Sequence, residues 1–591
     1  MLVRRLPRFA QLSLRSYSRA SYIHAQANVP LLFETLGDNL RKAAEKEPNK
    51  EFLVFQSYQL RKTYSQFYTD SRRLAASLLA LGLKKGDRVA VSGNNYYEWA
   101  VSFYANAMAG FIQVNINPHY KADELRFVLN KVNVKAIITP KKHKRIDFYN
   151  TLMEIVPELA RGKPGIGTVK CRDVPSLEHV ICYGSQELVG GCWSFEELWS
   201  NPGSIDFKRL DSAENHVRPD DPVDIQFTSG TTGFPKAAML THNNVNNNGY
   251  FAGLRAKWDE GEHRLCVPNP LFHAFGCIVG LIGACNHQQT LIVPSIAYDV
   301  EKIFQAIQNE KCTFMFGTPT MYVDLTASSM LEKYDVSSLR GGFIGGAPCP
   351  QALCEKMVNL LNMKDTMVLY GSTEVSGALT ISPLETNTFD RIKNVGTPLP
   401  HCEMLVVNED NVAVPKGERG ELWARGFGTM LGYFADEEKT KQDLTADKWF
   451  HTGDTAVMNE DGTFSIVGRV KDMIIRGGEN IYPTEIEQYI FRIPGIADVQ
   501  VFGVPDDRYG EVVCAWVRVK DNCTEKVTPE SIQEFCKTTM AHYKVPKHIM
   551  IKEQKDFPMT PSGKVKKNEL KSITKKLLDL EGVKSHFDDE E

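Results

Sequence analysis

The sequence predicts an α/β protein: a large N-terminal domain of mostly parallel sheets covered by helices, with some smaller β-structure, followed by a smaller α+β domain. Three observations carry this. Short apolar runs alternate with amphipathic stretches over most of the chain, the rhythm of helices laid on parallel strands. Segments with antiparallel character, 421–425 and 462–467, follow late in the chain. The composition then changes at Gly468-Arg469-Val470-Lys471-Asp472, which marks a boundary near Lys471.

The elements follow in order. Phe67, Leu74, Leu78 and Leu81 share one helical face, Gly82 closes it, and Gly86-Asp87 turns into a strand at 88–91. A helix over 98–108, ended by Gly110, leads into a strand at 111–115. Further buried strands are predicted at 134–139 and 290–293. Beyond the boundary, Thr484 precedes a carboxylate-rich first turn and predicts a capped helix. Strands follow at 499–503 and 512–519.

The most informative stretch is Thr228-Ser229-Gly230-Thr231-Thr232-Gly233-Phe234-Pro235-Lys236. Gly230 and Gly233 permit positive φ, so successive N–H groups can converge on an anion. The hydroxyls of Thr228, Ser229, Thr231 and Thr232 add donors, and Lys236 adds a point charge suited to phosphate. Pro235 stiffens the exit. A strand at 223–227 precedes the stretch, and a helix is predicted to begin at Leu240, through His242 and an asparagine-rich run. A Gly-rich turn between strand and helix is where phosphates sit in α/β proteins. It is not a Walker A loop, because Gly-Lys-Ser/Thr never appears.

The 591 residues are 42% hydrophobic and 24% charged with a net charge of −3, an ordinary globular balance that gives no support to nucleic-acid binding. The longest apolar stretch, around 277–285, is too short to span a bilayer. Thirteen cysteines without a Cys-x-x-Cys pair fit a reducing compartment, and Cys349 and Cys354 have no histidine cluster for a zinc site. The first 33 residues carry Arg4, Arg5, Arg8, Arg15 and Arg19 and no acid before Glu34. That is the composition of a mitochondrial transit peptide, placed at 1–25, with a disordered basic arm as the alternative; the expected location is the matrix. The domains are expected at 26–470 and 471–591.

Six strings together resemble the AMP-forming acyl-adenylate superfamily, which includes acyl-CoA synthetases, luciferases and the adenylation domains of peptide synthetases. They are 228–236, Tyr370-Gly371-Ser372-Thr373-Glu374, Thr452-Gly453-Asp454, 468–472, 476–483 and Pro561-Ser562-Gly563-Lys564, in the family's order. The resemblance implies an ATP-dependent ligase that joins a fatty acid, of medium chain length, to CoA through an acyl-adenylate, releasing AMP and pyrophosphate. It assigns the departing phosphates to Lys236 and the hydroxyl loop, the reacting centre to Lys564, and the ribose hydroxyls to Asp454. Arg469 fixes the nucleotide and Glu374 serves Mg²⁺. Tyr370 faces adenine within the ATP-binding string through Gly371, Ser372 and Thr373. His273 and Gly346 border the acyl group, with Gly276, Gly280, Gly283, Ala284, Gly377 and Ala378 hinting at room for an alkyl chain. Lys471 is the hinge of a mobile C-terminal domain, and Gly477 and Gly478 line the CoA path. Ala237 and Lys567 depart from the family's commoner glycine and arginine. Two other readings stand beside the ligase: an enzyme that passes the acyl group to a carrier protein, and an inactive nucleotide or acyl-CoA binding protein.

Overall fold

The computed structural model describes residues 20–580, except 186, 201, 229–234, 478, 507, 521–522, 524–526 and 561–562. The N-terminal domain is built on two large sheets. The eight-stranded one has the parallel strands Ile112–Ile116, Arg88–Ser92, Val134–Pro140 and His179–Tyr183 at its centre. The nine-stranded one has at its centre the parallel run Asp365–Tyr370, Gly341–Gly345, Phe314–Gly317, Arg264–Cys266, Thr290–Val293 and Glu51–Phe55.

Helices Tyr64–Ala80, Tyr97–Ala109 and His242–Arg255 share one apolar core with strands of both sheets: Leu74, Trp99 and Phe251 cluster with Val89, Val91, Phe316 and Phe343. Thr63 and Gln66 form a reciprocal capping box on the first of these helices. Gly110, in the left-handed conformation, stops the second. The third carries Gly249, where an added Cβ would lie 2.8 Å from both the Gly283 nitrogen and the Ile278 oxygen. Both neighbours are backbone and cannot swing aside. Gly249→Ala is therefore expected to lower stability by about 1–3 kcal/mol, read as a drop in melting temperature by calorimetry.

A five-stranded antiparallel sheet follows, and the one-turn 3₁₀ segment Val470–Asp472 leads from it into the C-terminal domain. There a second five-stranded sheet is covered by Pro483–Ile490, Pro529–Thr539 and Lys567–Leu577. The two domains share an apolar cluster in which Ile486, Val499 and Ala515 join Phe304, Tyr322 and Leu353. Arg518 Nη2 reaches Asp324 Oδ1 across the boundary at 3.3 Å.

Three expectations are corrected. Residues 20–25, assigned to the leader, belong to the folded domain: Tyr22–His24 pairs with Glu403–Val407, Ala20 bridges Pro415, and Ser21 is fully buried. The loop after Thr228 leads into a strand, Lys236–Thr241, antiparallel to Pro222–Thr228, and the helix starts only at His242. The helix at 483 is capped by Tyr482 without a side-chain bond, and Pro483 rather than Thr484 marks its start, since proline at the first position needs no N–H partner. Among the described residues no helix is long and apolar enough to cross a membrane.

Candidate active site

The parallel strands Phe314–Gly317, Gly341–Gly345 and Asp365–Tyr370 end side by side, so Thr318, Gly346 and Tyr370 meet at one rim of the nine-stranded sheet. Ligands of open α/β sheets gather at such carboxyl ends. The Tyr370 hydroxyl donates to Asp454 Oδ2 at 2.7 Å. Asp454 arrives on the antiparallel sheet, where its strand Phe450–Met458 pairs with Phe464–Arg469 and sets Asp454 directly opposite Arg469. Arg469 Nε lies 3.3 Å from Asp454 Oδ1. Burial pushes the Asp454 carboxyl above the usual range, against the pull of Arg469 and the Tyr370 hydroxyl. A fixed carboxylate beside a tyrosine and an arginine can bind a diol through two acceptor oxygens.

Lys564 comes to this rim from the C-terminal domain. Its loop closes locally through Lys564 N–H to Thr560 Oγ1, at 2.9 Å, and is pinned to the large domain where Thr320 Oγ1 donates to the Gly563 carbonyl at 3.0 Å. Gly346 adopts φ +85°, and a Cβ there would stand 3.5 Å from Lys564 Cε. Burial first, then Arg469, pushes the Lys564 ammonium down to about 8, while Asp454 and Glu374 pull the other way. The cation is the form that stabilises a developing oxyanion. The kcat/KM for ATP, which reports the free enzyme, should therefore be flat below pH 8 and fall as pH rises through it. Lys564→Arg, which does not titrate there, should abolish that fall in a pyrophosphate-exchange profile.

Across the cleft, Lys236 opens the strand after the loop, in register with Thr228. Its ammonium donates to Tyr433 Oη at 2.7 Å and to Asp443 Oδ2 at 3.1 Å, and lies 3.8 Å from Glu374 Oε1. Tyr433 Oη lies 3.1 Å from Glu374 Oε1 and 3.0 Å from Asp443 Oδ2, and its single proton serves one carboxylate at a time. Burial lifts the Asp443 carboxyl, but Lys439, Lys236 and Tyr433 together hold it below the usual range. Among the described residues no group of three or more His, Cys, Asp or Glu could hold a metal. One carboxylate, Glu374, with phosphate oxygens and waters is nevertheless a set that Mg²⁺ accepts in nucleotide sites.

The remaining predicted residues are distributed as follows. Ser229, Gly230, Thr231, Thr232, Gly233, Phe234 and Gly478 lie outside the described residues. Thr228 Oγ1 is buried, with no hydrogen-bond partner among the described residues. Gly371 packs against the Gly377 carbonyl, 2.2 Å from where its Cβ would be. Ser372 accepts from Gly377 N–H at 2.9 Å through its carbonyl, and Thr373–Val375 is the 3₁₀ turn that carries Glu374. His273 is half-buried; burial, then Lys564, lowers its imidazole to about 3, so it is neutral at physiological pH. Gly477 turns a short hairpin against Tyr509 of its own domain, and Lys471 sits in the 3₁₀ connection between the domains.

Of the small residues expected to leave room for an alkyl chain, Gly276 and Gly283 are closely packed. A Cβ on Gly276 would meet the Pro270 carbonyl at 2.4 Å, and one on Gly283 would meet Trp258 at 3.0 Å. Phe275–Ile282 is a π-helix, an irregularity frequent at functional sites.

Tyr433 and Asp443 were not singled out from the sequence. Gly432–Tyr433 is a two-residue strand paired with Ala238 and Met239, and Asp443 ends the short helix Glu437–Asp443. An acid at a helix C-terminus opposes the macrodipole, which was the one local signal available.

Comparison with known proteins fits this geometry. The family model described as AMP-binding enzyme matches residues 40–434, and the AMP-binding enzyme C-terminal domain matches 485–564. The chain is 41% identical over 563 residues to the mitochondrial medium-chain acyl-CoA ligase ACSF2 of Danio rerio, covering 95% of this chain and 91% of the relative. It is 35% identical to the putative acyl-CoA synthetase YngI of Bacillus subtilis, covering 93% and 99%. Among solved structures, ATP-bound MatB from Rhodopseudomonas palustris superposes with a TM-score of 0.75 at 25% identity, covering 92% of this chain and all of that one. A fatty acyl CoA synthetase of Mycobacterium tuberculosis superposes at 0.66 and 27%, covering 92% and 99%.

Proposed function

The chain belongs to the family of AMP-binding enzymes, and from that premise we propose that it is an AMP-forming acyl-CoA synthetase that activates medium-chain fatty acids in the mitochondrion. The observation that carries the reading is the delivery of Lys564, from the C-terminal domain, to the rim where Tyr370 and Asp454 form a nucleotide clamp.

The chemistry divides between the domains. A fatty carboxylate is ionised at neutral pH and needs no base to attack the α-phosphorus of ATP. Its oxygen forms the new P–O bond as the bond to pyrophosphate breaks. Asp454 holds the ribose, Lys564 stabilises charge developing on the α-phosphoryl oxygens, and Lys236 accompanies the departing phosphates. Mg²⁺ bound with ATP would neutralise phosphate charge beside Glu374. In the second half, the CoA thiol, its proton released, bonds through sulfur to the acyl carbonyl carbon as the acyl C–O bond to the phosphate breaks and AMP leaves. That step calls for the C-terminal domain to turn about Lys471, withdrawing Lys564 and presenting Gly477 and Gly478. The names of relatives support medium chain length and mitochondrial location, and the basic composition of residues 1–19 supports the latter; the matrix is the compartment proposed.

Carboxylate-dependent ATP–pyrophosphate exchange over a chain-length series, followed by thioester formation on free CoA, tests the reading. Exchange peaking at medium-chain acids together with acyl-CoA formation is expected. No exchange with any carboxylic acid would overturn it; exchange without transfer to CoA would replace it with transfer to a carrier protein.

A further inference from the structure

The asparagine-rich run at the start of helix His242–Arg255 is an unusual sequence for a buried helix, and three of its side chains, those of Asn244, Asn247 and Asn248, have separate tasks. Asn244 closes a reciprocal capping box with Thr241 and also donates to the carbonyls of Phe427 and Thr429. Asn247 pairs with the backbone of Leu32 as a strand would, accepting from its N–H at 2.7 Å and donating to its carbonyl at 2.9 Å. Asn248 does the same to the turn that follows Glu374. Its Nδ2 donates to the Val375 carbonyl at 3.2 Å and the Ala378 carbonyl at 2.7 Å, and its Oδ1 accepts from Ala378 N–H at 3.1 Å.

That turn is strained. Ser376 stands at φ +64°, the left-handed region that a residue with a Cβ rarely adopts. Such a conformation persists only where its surroundings over-determine it. Two other contacts help: Ser376 Oγ donates to the Gly428 carbonyl at 2.7 Å, and Met430 N–H donates to the Glu374 carbonyl at 2.9 Å. Asn248 supplies three bonds to the turn from a fully buried position, where a lost partner leaves donors and acceptors unpaired.

We propose that Asn248 is a positioning residue for the first half-reaction, holding the strained turn at 375–378 and through it Glu374. It rests on the adenylating reading above, but a different comparison tests it. Asn247 is the control: the same amide, on the same helix, equally buried, clamping the N-terminal segment instead of the site.

Asn247→Ala and Asn248→Ala should lose similar amounts of melting temperature. Assayed well below both melting temperatures, Asn248→Ala should lower kcat for pyrophosphate exchange by about 10²-fold, the cost of a misplacement near 1 Å. Its Kd for AMP, which lacks the phosphates and metal beside Glu374 and is held at Asp454 and Tyr370, should stay within about threefold of the parent. Asn247→Ala should exchange within about threefold of the parent. If Asn248→Ala gives no soluble protein, Asn248→Ser, which keeps one hydroxyl there, carries the same comparison. Equal kcat in the two variants, or a loss of AMP affinity matching the loss of kcat, would overturn the proposal. A parent enzyme without exchange activity would instead refute the adenylating reading.

Discussion

Lys564→Ala is expected to lower the rate of adenylation by about 10²–10³-fold, the scale on which a single preorganised charge or donor acts at a developing oxyanion. The prediction follows from placement. Lys564 sits on a loop of the C-terminal domain that touches the large domain through Thr320 and passes Gly346 without obstruction. Thioester formation from supplied acyl-adenylate should change by less than about threefold, because there the P–O bond is already made. Stopped-flow or quench measurement of each half separates the two. Equal losses in both would argue that the lysine holds the domains together rather than serving one bond.

Asp454→Ala should be nearly as damaging, and in a different way. Asp454 accepts from Tyr370 and pairs with Arg469 while its side chain is only 13% exposed. Removal leaves the Tyr370 hydroxyl without its acceptor and deletes the two acceptor oxygens offered to the ribose. With charge-assisted hydrogen bonds contributing about 1.5–3 kcal/mol each, kcat/KM for ATP should fall by about 10²-fold or more. The loss should appear first in nucleotide affinity, read by AMP binding, and both half-reactions should suffer. Asp454→Asn, of equal shape and without charge, should lie between. An unchanged nucleotide affinity in the alanine variant would remove Asp454 from the clamp.

Much of this was readable beforehand, for specific reasons. Parallel strands are buried on both faces, so 88–91, 134–139 and 290–293 stand out as apolar runs near where the strands lie. Lys236, Glu374 and Asp454 lie within strings whose glycines and hydroxyls have no place in a core. The hairpin at Thr228 was misread because Lys236-Ala237-Ala238-Met239-Leu240-Thr241 is too short and too rich in alanine to announce a strand; pairing with Pro222–Thr228 decides it. Tyr433 and Asp443 were invisible for a related reason. Apart from an acid at a helix C-terminus, nothing local distinguishes them, and the pairing of Tyr433 with Ala238 carries them to Lys236. The work of the asparagine run likewise belongs to partners more than a hundred residues away.

The first strand among the described residues has a consequence for how the chain is made. Tyr22–His24 finds its neighbour only at Glu403–Val407, and the Ser21 hydroxyl bonds to a carbonyl 394 residues downstream. During synthesis that strand waits until most of the polypeptide has emerged, and at about 5–20 residues per second the wait lasts tens of seconds. The sheet that bears Asp454 and leads to Lys471 is therefore completed late. Its edge strand and the neighbour that receives it are brought together only after nearly 394 residues of intervening chain.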